Sequence, residues 1–423
     1  MTLSSSIAER ANRSCGWPRP ESLVESVKPR QTAVLAGRQD AQVAESELNR
    51  ESWDFSGEPT QNLLHNLHPY PARFIPQIPR RCIERWSEPG DLILDPFCGS
   101  GTSLLEAKLT GRDSIGVDNN GVATLVATAK ILNYRERDFE ALVALAREIN
   151  CTLDEASPAM LGSLARSLPD APAYAGIEKW FDPVAVNELR WMRCQLESLP
   201  ENARCLGMAV FSSLVVRASR QDSDTRYVAT SRAYTPNYAV RTWTTRIPNV
   251  VARAKETVAQ SRPSSHTVLT QDSRQLGSVR DGSVALIVTS PPYLNAYDYH
   301  KYHRHRLHWI RADIPLARDV EIGKHDTFTR RGATPGAYLR DLTVCLREWS
   351  RVLVPRGRAV VVVGDAIVSG EFVPVGDTLV ELAGRAGLQL EARWLRNLDR
   401  ARKSFNRQAR IKREHVLLFR KSE

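Results

Sequence analysis

The string DLILDPFCGSGTSLLEAKLTGRDSIGVDNN, which begins at Asp91, constrains the fold of this chain more than any other. A short apolar run ends at Asp95, a turn with glycines at 99 and 101 follows, Thr102 to Leu109 reads as a helix, and a second apolar run closes at Asp118. Strand, turn, helix and strand in that order call for a parallel sheet with helical cover, in which ligands collect beyond the carboxyl ends of the strands. The pattern resumes with HTVLTQD at 266 to 272, SVALIVTSPPY at 283 to 293 and RAVVVVGDA at 358 to 366, the last preceded by a helix over Arg340 to Val352. LQLEARW and EHVLLFRK predict two further strands at the sheet edge, open to antiparallel pairing.

The interval 140–262 follows a different pattern. It predicts helices over Pro183 to Leu199, with Asp182 as cap and Pro183 in the first turn, and over Asn202 to Ala218, whose apolar composition suits a buried helix. Because α/β grammar flanks this interval on both sides, it reads as an insertion in one core. The expected organisation of the 423 residues is a loose extension over 1–60 and one domain over 61–423 interrupted by 140–262. No apolar stretch is long enough to cross a bilayer, and the seven cysteines form no C-x-x-C pair. No metal site is expected, and four histidines clustered at 300, 303, 305 and 308 suit helix packing or phosphate contact better than metal. The first residues lack a signal-peptide core, which leaves the cytoplasm as the expected compartment.

The glycines at 99 and 101 let a ligand approach the backbone where the next helix offers free N–H groups. The string lacks the third glycine of dinucleotide loops and the Gly-Lys-Ser/Thr of phosphate loops, so neither of those ligands is indicated. Asp95 suits a cationic or amine-bearing ligand, and Asp118, at the next strand end, could accept from ribose hydroxyls. Asp272 with Ser273 ends another strand and could reach an adenine amino group, or cap the helix that follows. In TSPPY, two prolines stiffen the loop and leave carbonyls to accept hydrogen bonds, while Ser290 supplies a hydroxyl and Tyr293 an aromatic face. Such a loop suits a planar base with an exocyclic amine. Transfer of a methyl from a sulfonium to that amine would gain from proximity and aligned dipoles.

Together DPFCGSGT, GVDNN, QDS at 271 to 273, TSPPY and REWSRVLVPRGRAVVVVGD resemble the S-adenosylmethionine-dependent DNA methyltransferases that modify exocyclic amino groups, and HPYPARFIPQIP at 68 to 79 resembles the segment that closes over their cofactor. The resemblance spans about 65–140 and 265–421. It implies an α/β, Rossmann-like methyltransferase fold: a mostly parallel seven-stranded sheet with helices on both faces, plus the largely helical insertion. It further implies that Arg73, Phe74, Asp95, Phe97, Gly99, Gly101, Thr102, Asp118, Asp272 and Ser273 bind S-adenosyl-L-methionine. Ser290, Pro291, Pro292 and Tyr293 would hold a base flipped out of duplex DNA. Ser before Pro-Pro-Tyr resembles the cytosine N(4) version, with adenine N(6) and an RNA base amine as alternatives, and a non-catalytic nucleic-acid binder as the reading from another class. The absence of a Pro-Cys pair argues against carbon methylation through a covalent adduct. A restriction endonuclease acting on the same site is the partner such enzymes suggest; the oligomeric state is left open.

Lys plus Arg number 58 against 48 Asp plus Glu, a net +10. The excess is local: residues 393–413 hold nine Lys or Arg against one Asp, and 301–331 hold eight against four acids. Those two stretches and the arginine-rich, aromatic second half of the insertion are the expected DNA contacts, through Arg226, Arg241, Lys301, Arg304, Arg396, Arg402, Lys403 and Arg407.

Overall fold

A computed structural model describes residues 51–155, 174, 176–295, 297–329, 334–397 and 413–423. Most of the expected extension therefore lies outside the described residues. The first helix, α1 (Gln77–Trp86), leads into β1 (Leu92–Asp95), α2 (Thr102–Thr110), β2 (Asp113–Asp118) and α3 (Gly121–Ile131), the unit expected from the glycine turn. Next come α4 (Glu136–Glu155), α5 (Pro183–Glu197), α6 (Glu201–Ala218), the hairpin β3 (Gln221–Ser223) and β4 (Arg226–Ala229), and α7 (Tyr238–Gln260). The sheet resumes with β5 (His266–Thr270) and β6 (Val284–Thr289), after which the chain turns through α8 (Tyr299–Tyr302), α9 (Arg304–Trp309) and α10 (Ile314–Asp319). It ends with α11 (Pro335–Val352), β7 (Leu353–Gly364), the hairpin β8 (Ala366–Val368) and β9 (Glu371–Val373), α12 (Val375–Arg385), β10 (Leu388–Asn397) and β11 (Arg413–Lys421).

Seven strands form one sheet in the order β10-β11-β7-β6-β1-β2-β5, with β11 antiparallel to both neighbours and the remaining pairs parallel. This is a Rossmann-like methyltransferase fold with helices on both faces. Period-two alternation sorts the strand side chains. Leu94, Ile287, Val361 and Leu417 pack under α11 and α12, whereas Ile93, Leu286, Val360 and Val416 pack under α1. The order reverses between β6 and β1, so their diverging connections leave a crevice at the carboxyl ends.

Local chemistry accounts for the helix boundaries. The Asp182 side chain accepts the Val184 N–H at 2.9 Å with Pro183 in the first turn, as expected. Helix α11 starts at Pro335, five residues before the expected Arg340, because proline fits the first turn as readily as the residues after it. The C-terminal strands differ from expectation in one respect: only β10 lies at the edge, and β11 sits inside the sheet. Six consecutive buried residues, Glu414 to Phe419, suit a strand covered on both faces and flanked by β10 and β7.

Helix α6 is buried on nearly every side, and α4, α5, α6 and α7 enclose one apolar body against α2 and α3. Part of the expected nucleic-acid surface belongs to this body. Trp243 is fully buried and donates to the Gly207 carbonyl at 3.1 Å, and Arg246 donates to the Ser213 hydroxyl and the Leu67 carbonyl. Neither side chain faces a ligand. The clustered histidines likewise pack inward: His303 and His305 have no exposed surface. Among the described residues, no helix is long and apolar enough to cross a membrane, and no group of three or more His, Cys, Asp or Glu side chains could hold a metal ion.

The glycine turn packs closely against α3. Gly101 has φ of 75°, and a Cβ there would stand 2.7 Å from the Ala127 Cα in α3. We predict that Gly101→Ala costs at least about 2 kcal/mol through left-handed strain and backbone overlap together, read as a lowered midpoint of thermal or urea unfolding. An unchanged midpoint would contradict that packing.

Candidate active site at the carboxyl ends of the strands

Beyond the ends of β1, β2, β5 and β6 lies a cleft of about 850 Å³, including the space at its mouth. Its walls bring together Arg73, Phe74, Asp95, Phe97, Gly99, Thr102, Asp118, Asp272, Ser273, Ser290 and Pro292, residues far apart in the chain. Gly101, Pro291 and Tyr293 are not among the residues that line it.

Side chains lace adjacent strand ends across the sheet. The Asp118 carboxylate at the end of β2 accepts the Gly99 N–H at 2.9 Å and the Asn120 N–H at 2.9 Å, which holds the glycine turn against β2. Thr289, the last residue of β6, donates its hydroxyl to Asp95 at 2.7 Å. Ser273 donates to the Pro96 carbonyl. Asp272 is engaged by Arg274, through its backbone N–H at 2.9 Å and its guanidinium, and Arg274 also pairs with Asp341. The helix that the capping alternative expects after Asp272 does not form, since residues 271–283 are turns that lead into β6, and Asp272 lines the cleft.

The segment before α1 forms the opposite wall, where Tyr70, Pro71 and Ala72 line the cleft with Arg73 and Phe74. The Tyr70 ring is the group nearest to the Cβ position of Gly99, at 3.4 Å, and it stacks on His303 with centroids 4.9 Å apart. A side chain at 99 would therefore press on the ring that covers the turn. Tyr70, Asn119, Tyr299 and Glu321 are cleft residues beyond those expected from the sequence. Tyr70 lies inside the HPYPARF string and Asn119 beside Asp118, so both are near a signal. Tyr299 and Glu321 reach the cleft only through the fold of the loop after TSPPY, where Glu321 accepts the Tyr299 N–H at 2.6 Å and pairs with His300.

That loop is ordered by its own polar groups. Asn295 donates to the Ile367 carbonyl at 3.2 Å, Asp298 accepts the Asp326 N–H at 3.0 Å, and Tyr338 donates to the Pro292 carbonyl at 2.9 Å. Tyr293 donates its hydroxyl to Glu414 at 2.7 Å.

The expected basic contacts fall in three groups. Arg226 and Arg241 are more than half exposed, beside Asp222 and Asp154. Lys301 pairs with Asp298 and Asp326, and Arg304 lies over the Tyr174 ring. Arg396 departs from expectation, since its side chain is 6% exposed and donates to Glu414 at 2.7 Å, which withdraws it from any solvent-facing phosphate surface. Arg402, Lys403 and Arg407 lie outside the described residues.

Burial dominates the electrostatics of the two strand-end acids. It pushes the Asp95 carboxyl up to about 6, against hydrogen bonds from the Thr289 hydroxyl and the Phe97 N–H, and it pushes Asp118 up to about 7, against the N–H groups of Asn120 and Gly99. Folded Asp118 thus keeps a proton that the unfolded chain, with an ordinary value of 3.8, has released. Its contribution to stability is fully present below the unfolded value and is lost as the pH rises through 7. From pH 5 to pH 8 the unfolding midpoint of the native protein is expected to fall relative to that of D118N, and parallel profiles for the two proteins would contradict this.

Residues 21–126 match the family model for DNA methylases. The type II methyltransferase M.MjaII of Methanocaldococcus jannaschii is 41% identical over 71 residues, covering 17% of this chain and 13% of that protein. M.MvaI of Kocuria varians is 25% identical over 309 residues, covering 68% of this chain and 65% of its own length. Among solved structures, a TehB-like SAM-dependent methyltransferase from Corynebacterium glutamicum is 14% identical with a TM-score of 0.30, covering 81% of this chain and 87% of that one. The chain thus spans less than two thirds of the length of these two type II relatives. A DNA methylase model over residues 21–126 and type II methyltransferases over parts of its length are what this chain is similar to.

Proposed function

We propose that this protein is a site-specific DNA methyltransferase that moves a methyl group from S-adenosyl-L-methionine to the N(4) amine of a cytosine flipped out of duplex DNA. One observation carries the reading: a single cleft joins the glycine turn and its two acids to Ser290 and Pro292 of the TSPPY loop. A cofactor on the first and a base on the second would meet at the ends of adjacent strands, β1 and β6.

S-adenosylmethionine supplies a methyl on a sulfonium, which a neutral amine can attack directly. The residues of this chain bind and orient. Asp118 accepts from the ribose, the free N–H groups at the start of α2 and the carboxyl of Asp95 face the methionine part, and Asp272 with Ser273 borders the adenine. Arg73, Phe74 and Tyr70 close the wall and exclude water. Ser290 and the Pro291 carbonyl accept from the target amine, and the Tyr293 ring holds the base plane. Ser ahead of Pro-Pro-Tyr favours cytosine. In this reading 61–423 is the catalytic domain, 140–262 an insertion whose exposed Arg226 and Arg241 meet DNA, and 1–60 an extension. The protein works in the cytoplasm, with a restriction endonuclease of the same site as its counterpart.

Labelled S-adenosylmethionine and mixed-sequence duplex DNA, followed by nucleoside analysis, test this directly. Label in N(4)-methylcytosine is expected; N(6)-methyladenine would overturn the base assignment, and transfer only to structured RNA would overturn the substrate. Tyr293→Ala should raise KM for DNA about tenfold or more with cofactor affinity kept, whereas Asp118→Ala should weaken cofactor binding first. Equal losses of both affinities in each variant would contradict these roles. Neutralising Arg402, Lys403 and Arg407 should flatten the dependence of DNA affinity on salt, by about one unit of slope for each phosphate left without its cation, and an unchanged slope would place the DNA elsewhere.

A further inference from the structure

The hairpin β8–β9 follows directly on β7 and is tied to the TSPPY loop from two sides. Asn295, two residues after Tyr293, donates its side-chain amide to the Ile367 carbonyl at 3.2 Å. Tyr293 itself donates to Glu414, and Glu414 pairs with Gly364, two residues before β8 begins. The hairpin is therefore anchored beside the TSPPY loop, although its residues do not line the cleft.

Its own geometry is tight. Ala366, Ile367 and Val368 pair antiparallel with Val373, Phe372 and Glu371, and Ser369 and Gly370, at φ of 53° and 88°, make the two-residue turn that such a hairpin needs. Period-two alternation divides the side chains between two faces. Ala366 and Val368 join the core under α11 and α12, whereas Ile367 and Phe372, directly opposite each other, are 39% and 67% exposed. Phe372 is the most exposed large apolar side chain among the described residues.

An aromatic and a β-branched side chain standing together in water gain free energy from any partner that covers them. Two side chains expose at most a few hundred Å², against roughly 800 Å² for each partner in a stable protein contact, so a second protein chain is a poor match. The base stack of duplex DNA is a better one. A base turned out of the helix leaves a gap one ring thick, and apolar side chains set between base steps hold such gaps open. The charges nearby agree. Glu371 precedes Phe372 and so projects to the other face, while Arg413, exposed and next to Glu414 at the same end of the sheet, suits a phosphate.

We propose that the β8–β9 hairpin is a wedge for duplex DNA, in which Phe372, braced by Ile367, enters the base stack and occupies the place that the flipped base vacates. The inference rests on the proposed transfer to a flipped base and adds the residue that fills the gap. Phe372 touches DNA and not the reacting atoms, so it governs how readily the base leaves the stack rather than the methyl transfer itself.

The test uses the full chain, labelled S-adenosylmethionine and duplexes carrying the mapped site, with the target cytosine either paired to guanine or mispaired with adenine. F372A should lower kcat/KM on the paired duplex by about tenfold or more, while the unfolding midpoint and cofactor affinity stay at native values. On the mispaired duplex, whose target base leaves the stack at less cost, most of that loss should disappear. F372L, which keeps an apolar wedge, should stay close to the native protein on both. Full activity of F372A on the paired duplex would overturn the proposal, and so would an equal loss on both duplexes. A native dimer that F372A splits, with no change in preference between the duplexes, would also overturn it and make the patch a subunit contact. Transfer by the native protein to no nucleic acid would remove the proposed function as well, whereas native activity with an undiminished F372A removes this inference alone.

Discussion

Parallel pairing of β6, β1, β2 and β5 brings four strand ends to one edge of the sheet, and what the chain can offer a ligand follows from that alignment. Thr289, Asp95, Asp118 and Thr270 are the last residues of those strands, and two of them are acids. The hydrogen bonds from Gly99 to Asp118 and from Thr289 to Asp95 turn a row of strand ends into a rigid rim. The glycine turn and the TSPPY loop are then placed relative to each other by backbone pairing rather than by loop contacts, so the two half-sites share one frame.

That frame holds polar groups at a cost. Burial works against the charge of both strand-end carboxylates, and few donors beyond the local backbone and hydroxyl groups relieve it. A ligand bringing hydroxyl or cationic donors would relieve the same penalty, which gives the site an electrostatic reason to prefer it. The region after TSPPY meets its own needs differently. Glu321 and Asp298 accept the backbone N–H groups of the loop, Asn295 ties it to β8, and the buried Arg306 is held by Asp224 and the Ser212 carbonyl. Basic residues that look like a phosphate stripe in the sequence are in part the mortar of the helical body.

Much of this is legible in the sequence because strand-end chemistry is local. DPFCGSGT and TSPPY are contiguous strings whose turn residues, apolar runs and acids act within a few residues of each other. The unbroken apolar run of RAVVVVGD similarly announces a strand covered on both faces. What escapes depends on packing between distant parts. Nothing near Arg396 signals that Glu414 lies opposite it in the sheet, so its charge reads as solvent-facing. The inner position of β11 rests on a pairing with β7 that its own residues do not specify. Tyr299 and Glu321 reach the cleft through three short helices whose path no periodicity predicts. Trp243 and Arg246 look like base and phosphate contacts only until α6 is seen to need cover.

If one cleft at the strand ends takes both reactants, the reacting groups meet between Asp95 and Ser290. A crystal structure of the protein with S-adenosyl-L-methionine tests it most directly. Ribose hydroxyls are expected on Asp118, with the sulfonium methyl turned toward Ser290 and Pro291. A ligand seated elsewhere, or in this cleft with its methyl facing away from the TSPPY loop, would contradict it.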